Sequence, residues 1–280
     1  MVIQIAATVG FNIFRELPEE VLTSEGSVWF ASSAPNQPSY EDQKLGGVFT
    51  HFFIEALGNH VIDQGLKPAV LTVDPSSAIS GGSILGDKTR METLARRPEA
   101  FIRPSPAGRT LGGVTRRTRE TMLLCEAAGF DVVFVETVGV GQSETAVAEM
   151  TDMFLLLLLP VGGDELQGIK RGIMELADLI MVNKADGELV AAARHAASDY
   201  RSALRLIRPR IKDWRVPVET CSALEGRGIA EAWALIEKYR ERLSNGGELQ
   251  QRRTAQAKGW MWDEISEGLQ ACFAGVDRIE

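Results

Sequence analysis

The tetrapeptide Asn183-Lys184-Ala185-Asp186 follows the apolar run Leu179–Val182, which has the length and composition of a buried strand. A carboxylate at the fourth position can accept two hydrogen bonds from the N1–H and N2 amino edge of guanine. Adenine has no N2 amine and presents an acceptor at N1, so the same carboxylate rejects it. The Asn183 amide can bond the opposite edge of the purine, and the Lys184 stem can lie along the ring face. Polar groups left unpaired by the wrong base are what make such a site selective. Ser222-Ala223-Leu224 follows the next strand-like segment, Pro217–Cys221, and its backbone N–H groups can close over the base.

A second group of residues suits phosphate and a hard cation. Glu136-Thr137-Val138-Gly139-Val140-Gly141-Gln142-Ser143 places an acid at the end of an apolar strand and glycines directly after it. Glycines let backbone N–H groups approach an anion, and the acid suits Mg²⁺. Asp74 closes the run Ala69–Asp74, and Asp87 opens a helical segment after a long loop. Both can reach a Mg²⁺-bound phosphate directly or through water. Gly81–Thr89 nearly reads as a phosphate loop, but Asp87 stands between Gly86 and Lys88. An acid in the middle of an anion cradle opposes its purpose. His195 and His60 belong to no metal or nucleophile pattern, and GxSxG and HExxH do not occur.

The elements that must hold these residues can be read from the hydrophobic pattern. Strands are expected at Ala69–Asp74, Asp131–Glu136, Met153–Leu159, Leu179–Asn183 and Pro217–Cys221. Helical segments are expected near 53–64, 88–97, 112–128, 143–151, 165–176, 187–207 and 228–244. Continuous rather than alternating Val/Ile/Leu strands separated by helices predict an α/β fold, a mainly parallel sheet with helices on both faces. After the break at Ser244–Leu249, residues 250–273 read as a final helix with Trp262, Ile265, Leu269 and Phe273 at helical spacing. That face suits either packing back on the sheet or a dimer or other partner. Within residues 17–43 only Ser27–Ala31 looks strand-like.

Composition fits this picture and excludes others. The chain has 280 residues, 45% of them hydrophobic and 24% charged, which is the profile of an ordinary globular protein. Its net charge of −8 gives no support to nucleic-acid binding. Much of that charge sits early, where Glu16, Glu19, Glu20, Glu25, Glu41 and Asp42 face Arg15 alone within residues 1–43. Cys125, Cys221 and Cys272 lie far apart without CxxC spacing, as expected of buried thiols in a reducing cytoplasm. Met153–Pro160 is the longest apolar run and is far too short to span a membrane. The apolar start MVIQIAATVGFNIF has no basic segment before it, so a secretory leader is not expected.

Taken together, VDPSS (73–77), GGSILGDKTRM (81–91), FIRPSPAGRTLGG (101–113), the stretch from Thr118 to Asp152, the stretch from Asp164 to Gly187 and CSALEGRGI (221–229) resemble the methylmalonyl-CoA mutase-associated GTPases, the MeaB/ArgK group of P-loop GTPases. The resemblance implies a P-loop NTPase-like three-layer sandwich with a helical C-terminal extension. It implies GTP/GDP and Mg²⁺ as ligands, and docking on adenosylcobalamin-dependent methylmalonyl-CoA mutase to guard cofactor loading and reactivation. Members are generally homodimers. Carried over by motif, Asn183, Lys184 and Asp186 would read guanine with Ser222, Ala223 and Leu224 supporting it. Asp74, Asp87 and Glu136 would surround Mg²⁺ and the γ-phosphate, while Gly139 and Gln142 would belong to a switch sensing that phosphate. Glu136, Asp87 and Gln142 would then carry the hydrolysis.

The chain departs from the family pattern before residue 53. Where GxxxxGK[ST] belongs, it reads Lys44-Leu45-Gly46-Gly47-Val48-Phe49-Thr50-His51, so Thr50 takes the Lys position and His51 the Ser/Thr position. The Lys of such a loop supplies charge to the phosphates and its hydroxyl residue holds Mg²⁺. No other GxxxxGK[ST] occurs. The expected organisation is therefore an atypical segment 1–52, foreign or frame-shifted relative to the family, then a GTPase domain 53–244 and a helical extension 245–280. The strand leading to the loop is expected to be missing, since NQPSYEDQ stands in its place. Two functions remain open: a mutase-associated GTPase of weakened phosphate chemistry, or a docking protein that works without nucleotide. A small-molecule kinase would also need the loop and has no acceptor-site signature.

Overall fold

The computed structural model describes residues 1–7, 29–31, 38–40, 48–74, 91–106, 111–138, 147–160 and 171–276. Among them the main sheet has seven strands: β1 (Val2–Ala7), β4 (Pro68–Asp74), β5 (Phe101–Pro106), β6 (Val132–Val138), β7 (Met153–Leu158), β8 (Leu179–Val182) and β9 (Val218–Thr220). Their order is β5-β4-β6-β1-β7-β8-β9, and every pairing is parallel. The helices are α1 (Val48–Asp63), α2 (Glu92–Ala95), α3 (Leu111–Ala127), α4 (Arg171–Leu176), α5 (Val190–Leu204), α6 (Ile229–Asn245) and α7 (Glu248–Val276). A separate antiparallel pair joins β2 (Trp29–Ala31) to β3 (Pro38–Tyr40). The chain divides into two compact units, Met1–Glu237 and Lys238–Glu280.

The expected parallel α/β sheet is present. Right-handed crossovers place the helices of leftward connections (β1 to β4, β4 to β5) and rightward ones (β5 to β6, β7 to β8, β8 to β9) on opposite faces. The expected strands are all there, β7 and β8 buried along their whole length. Under them α5 presents Ala193, Ala196 and Ala197, small residues that let the helix approach Phe154, Ile180 and Val182 closely. Three strand starts are also tied chemically. Asp152 Oδ2 accepts the Val2 N–H at 2.8 Å, Asp178 Oδ2 accepts that of Phe154 at 2.9 Å, and Asp131 Oδ2 that of Lys67 at 2.9 Å. These carboxylates satisfy N–H groups that the ladder leaves over.

Three strands, β1, β3 and β5, were not expected from the pattern. β5 contains Pro104 and Pro106, which normally argue against a strand; it lies at the sheet edge, where missing N–H donors are tolerated. The larger correction is β1. The strand position between β6 and β7 is filled, not by residues just before α1, but by Val2–Ala7 from the start of the chain. Ile3 and Ile5 are fully buried, and so is Gln4, whose Nε2 donates to Thr137 Oγ1 at 3.2 Å. Part of NQPSYEDQ is itself β3, paired with β2 outside the main sheet. Residues 8–47 thus lie between β1 and α1, where a phosphate loop needs a short, tight connection.

In the second unit, Arg242 contacts Glu248 Oε1 at 3.2 Å and Arg252 Nη1 donates to Tyr239 Oη at 3.0 Å, so α6 and α7 are stapled across the turn at Gly246-Gly247. Gly247 has φ of 69°, the left-handed conformation that ends a helix. On α7, Met261, Trp262, Ile265, Leu269 and Phe273 are exposed.

Candidate functional site

Parallel strands present all their carboxyl ends on one edge, where ligands of such sheets bind. At the tips of β8 and β9 the two base-reading segments meet. Asn183 is buried just past β8, and its Oδ1 accepts the Ala223 N–H at 3.0 Å. Ser222 Oγ donates to Asp186 Oδ2 at 2.5 Å and in turn accepts the Glu225 N–H at 3.2 Å. The Ala185 N–H donates to the Cys221 carbonyl at 2.9 Å, so backbone as well as side chains join the two segments. Lys184 has φ of 58°, a conformation non-glycine residues avoid without cause. It turns the chain sharply between the buried Asn183 and Ala185.

Asn183, Asp186, Ser222 and Ala223 are therefore brought together as expected, with Lys184 in the same turn. Leu224 is in the segment but is 82% exposed, so its side chain covers nothing in this structure. Two further residues hold the arrangement and were not singled out by sequence reasoning. Cys221 Sγ lies 3.7 Å from Asn183 Oδ1, and burial, with the Asp186 charge adding to it, pushes this thiol up to about 12. Arg227 Nη2 donates to the Ala185 carbonyl at 3.1 Å and Arg227 Nε to Glu225 Oε2 at 2.6 Å, while its own carbonyl accepts the Ser222 N–H at 2.9 Å. Gly228 beside it has φ of 77°, and a Cβ there would meet the Thr220 carbonyl oxygen at 2.6 Å. The one sequence signal for these was position, since all three belong to the same CSALEGRGI block.

The phosphate side is built differently. Asp74 ends β4 opposite Pro106 of β5, with its side chain outside the described residues. Asp87, Gly139 and Gln142 also lie outside them. Glu136 is in β6, in register with Ile5 of β1 and Thr72 of β4, and is 0% exposed. Neither of its oxygens accepts a hydrogen bond from a described residue. Beside it among the described residues is His51 on the first turns of α1, whose Nδ1 stands 3.1 Å from Glu136 Oε2. Thr50, beside it, is buried as well.

Of the three acids that the family resemblance assigns to Mg²⁺, only Glu136 has a described side chain. That ion demands near-octahedral oxygen ligands at about 2.1 Å and keeps several waters. Here the described surroundings offer one carboxylate, with an imidazole nitrogen packed on it in place of a hydroxyl. Among the described residues no cluster of three metal-ligating side chains occurs. Nor is any described helix long and apolar enough to cross a membrane.

A probable GTPase of Mycobacterium tuberculosis is 57% identical over 223 residues, covering 80% of this chain and 66% of that protein. The GTPase ArgK of Escherichia coli is 55% identical over 229 residues, covering 80% and 68%. A crystal structure described as LAO/AO transport system kinase superposes with a TM-score of 0.68 at 45% identity, covering 80% of this chain and 66% of that one. The chain thus spans about two thirds of the length of the relatives it matches. The family model for methylmalonyl Co-A mutase-associated GTPase MeaB matches residues 45–276, beginning close to α1 and running through α7. With that match over most of its length, the chain belongs to the MeaB family of GTPases.

Proposed function

We propose that this chain is a guanine-nucleotide-binding protein that assists adenosylcobalamin-dependent methylmalonyl-CoA mutase in cofactor loading, protection or reactivation, and that it turns GTP over slowly. The observation supporting it is the network at the β8 and β9 tips, where Asn183, Asp186, Ser222 and Ala223 hold each other in place. A preorganised base reader binds without first having to order its loops. Slow turnover follows from residues 8–47 standing where a tight loop belongs and from Thr50 and His51 at the Lys and hydroxyl positions. Mg²⁺ beside the nucleotide phosphates rests on the family resemblance. The mutase partnership rests on the family's name, the homodimer on the family resemblance, and the cytoplasmic location on the spacing of the three cysteines.

Asp186→Asn tests the base reading. An amide at this position still accepts from N1–H, loses the second acceptor that faces the N2 amine and gains a donor for a 2-oxo group. Affinity for fluorescent GDP should fall by about 10²-fold or more, while affinity for xanthosine diphosphate rises. Equal loss of both, or no loss, overturns the reading. If the protein binds no guanine ligand yet still alters mutase inactivation kinetics, docking without nucleotide is the correct account.

A further inference from the structure

We propose that Arg227 is a positioning residue for base recognition. Its side chain holds the turn at Lys184 and so sets how Asp186 meets the N2 amine that distinguishes guanine from hypoxanthine. The inference rests on the guanine reading and deepens it. The residues concerned, Asn183–Asp186 and Cys221–Gly228, lie just past β8 and β9. Lys184 has φ of 58°, and holding a non-glycine residue there costs free energy that its surroundings must offset. Arg227 grips the backbone of that turn: its Nη2 donates to the Ala185 carbonyl at 3.1 Å, one residue before Asp186.

The contact closes a ring. Asp186 Oδ2 accepts the Ser222 hydroxyl, the Ser222 N–H donates to the Arg227 carbonyl at 2.9 Å, and the Arg227 guanidinium returns to Ala185. The Ser222 oxygen also accepts the Glu225 N–H at 3.2 Å, so its single proton is directed to Asp186. Glu225 Oε2 takes the Arg227 Nε–H at 2.6 Å and keeps the guanidinium aimed. Gly228 sets where the arm begins, since a Cβ at its φ of 77° would meet the Thr220 carbonyl oxygen at 2.6 Å. The chain can therefore turn back so that Arg227 bridges to Ser222. A guanidinium suits this place because it donates in two directions at once, to a carbonyl and to a carboxylate. With the ring cut, Asp186 sits on a loosened turn. One carboxylate oxygen still finds the N1–H of either base, but a second bond, to the N2 amine, needs both oxygens in place together. The loss therefore falls on guanine.

The experiment is titration calorimetry of the full chain with GDP and with inosine diphosphate, whose base lacks the N2 amine. The unmodified chain should prefer GDP by about tenfold or more. Arg227→Ala should lower GDP affinity about tenfold and inosine diphosphate affinity by less than about threefold, so that the preference shrinks to about threefold. A role confined to fold stability would lower the fraction of binding-competent chains and leave the ratio of the two affinities unchanged. Arg227→Met keeps the length of the stem and removes every donor, so it carries the same test where the alanine variant folds poorly. Arg227→Lys, which keeps the charge but not the fork, should retain part of the preference. An unchanged ratio in Arg227→Met overturns the inference and leaves the guanine reading standing. If the unmodified chain binds the two nucleotides equally, or binds neither, the guanine reading falls and the role of Arg227 falls with it.

Discussion

Cys221 connects the base-reading residues to the core. Its thiol is raised from 9.0 to about 12, chiefly by burial and then by the Asp186 charge. The unfolded chain therefore loses this proton at lower pH than the folded one does. The sign is that stability contributed by the neutral thiol is complete below pH 9 and declines as pH rises toward 12. The decline should reach roughly 1 kcal/mol per pH unit within that window. Urea denaturation at several pH values should show a shallower alkaline decline for Cys221→Ala than for the unmodified chain. Parallel declines would mean that the thiol ionises as freely folded as unfolded. Arg227 acts by geometry instead, its guanidinium binding a carbonyl of one tip while its own carbonyl holds the other.

At the scale of elements, β1 has the largest consequence. Its side chains fill the middle of the sheet, hydrogen-bonded to β6 on one side and β7 on the other. Ile5→Ala removes fully buried apolar volume and should cost about 2–5 kcal/mol, read as a lower urea midpoint at unchanged slope. A change below about 0.5 kcal/mol would show that the sheet does not depend on this segment. The strand was not legible because VIQIAA is short, interrupted by Gln4, and separated from its helix by residues 8–47. Strand pairing over such a separation is decided by the slot left between β6 and β7, and no local pattern encodes that slot. β5 was missed for a different reason. Its prolines lower strand propensity, and only an edge position makes them acceptable. By contrast β4, β6, β7 and β8 were legible, because strands buried on both faces read as unbroken aliphatic runs.

For the whole molecule, the question is what the exposed face of α7 meets. Trp262 is 62% and Phe273 71% exposed, with Met261, Ile265 and Leu269 exposed on the same helix. Large apolar side chains recurring on one face at this exposure mark contact surfaces. If the proposed homodimer forms through this helix, light scattering should report twice the chain mass for the unmodified protein. Trp262→Glu combined with Phe273→Glu should then give the single-chain mass with an unchanged urea midpoint. A dimer that survives both charges would place the interface elsewhere.

The sequence by itself determined the fold class, the residues proposed to read guanine and the family. Those properties rest on short contiguous stretches, each a strand and the turn after it, whose chemistry is complete within a dozen residues. It also showed that Thr50 and His51 replace the phosphate-loop residues. Only the tertiary structure brought Val2–Ala7 into the sheet and set His51 against Glu136, residues 85 positions apart in the chain. Those contacts arise where neighbouring strands and the helix packed over them converge, and burial there joins a carboxylate to whichever side chain the fold delivers.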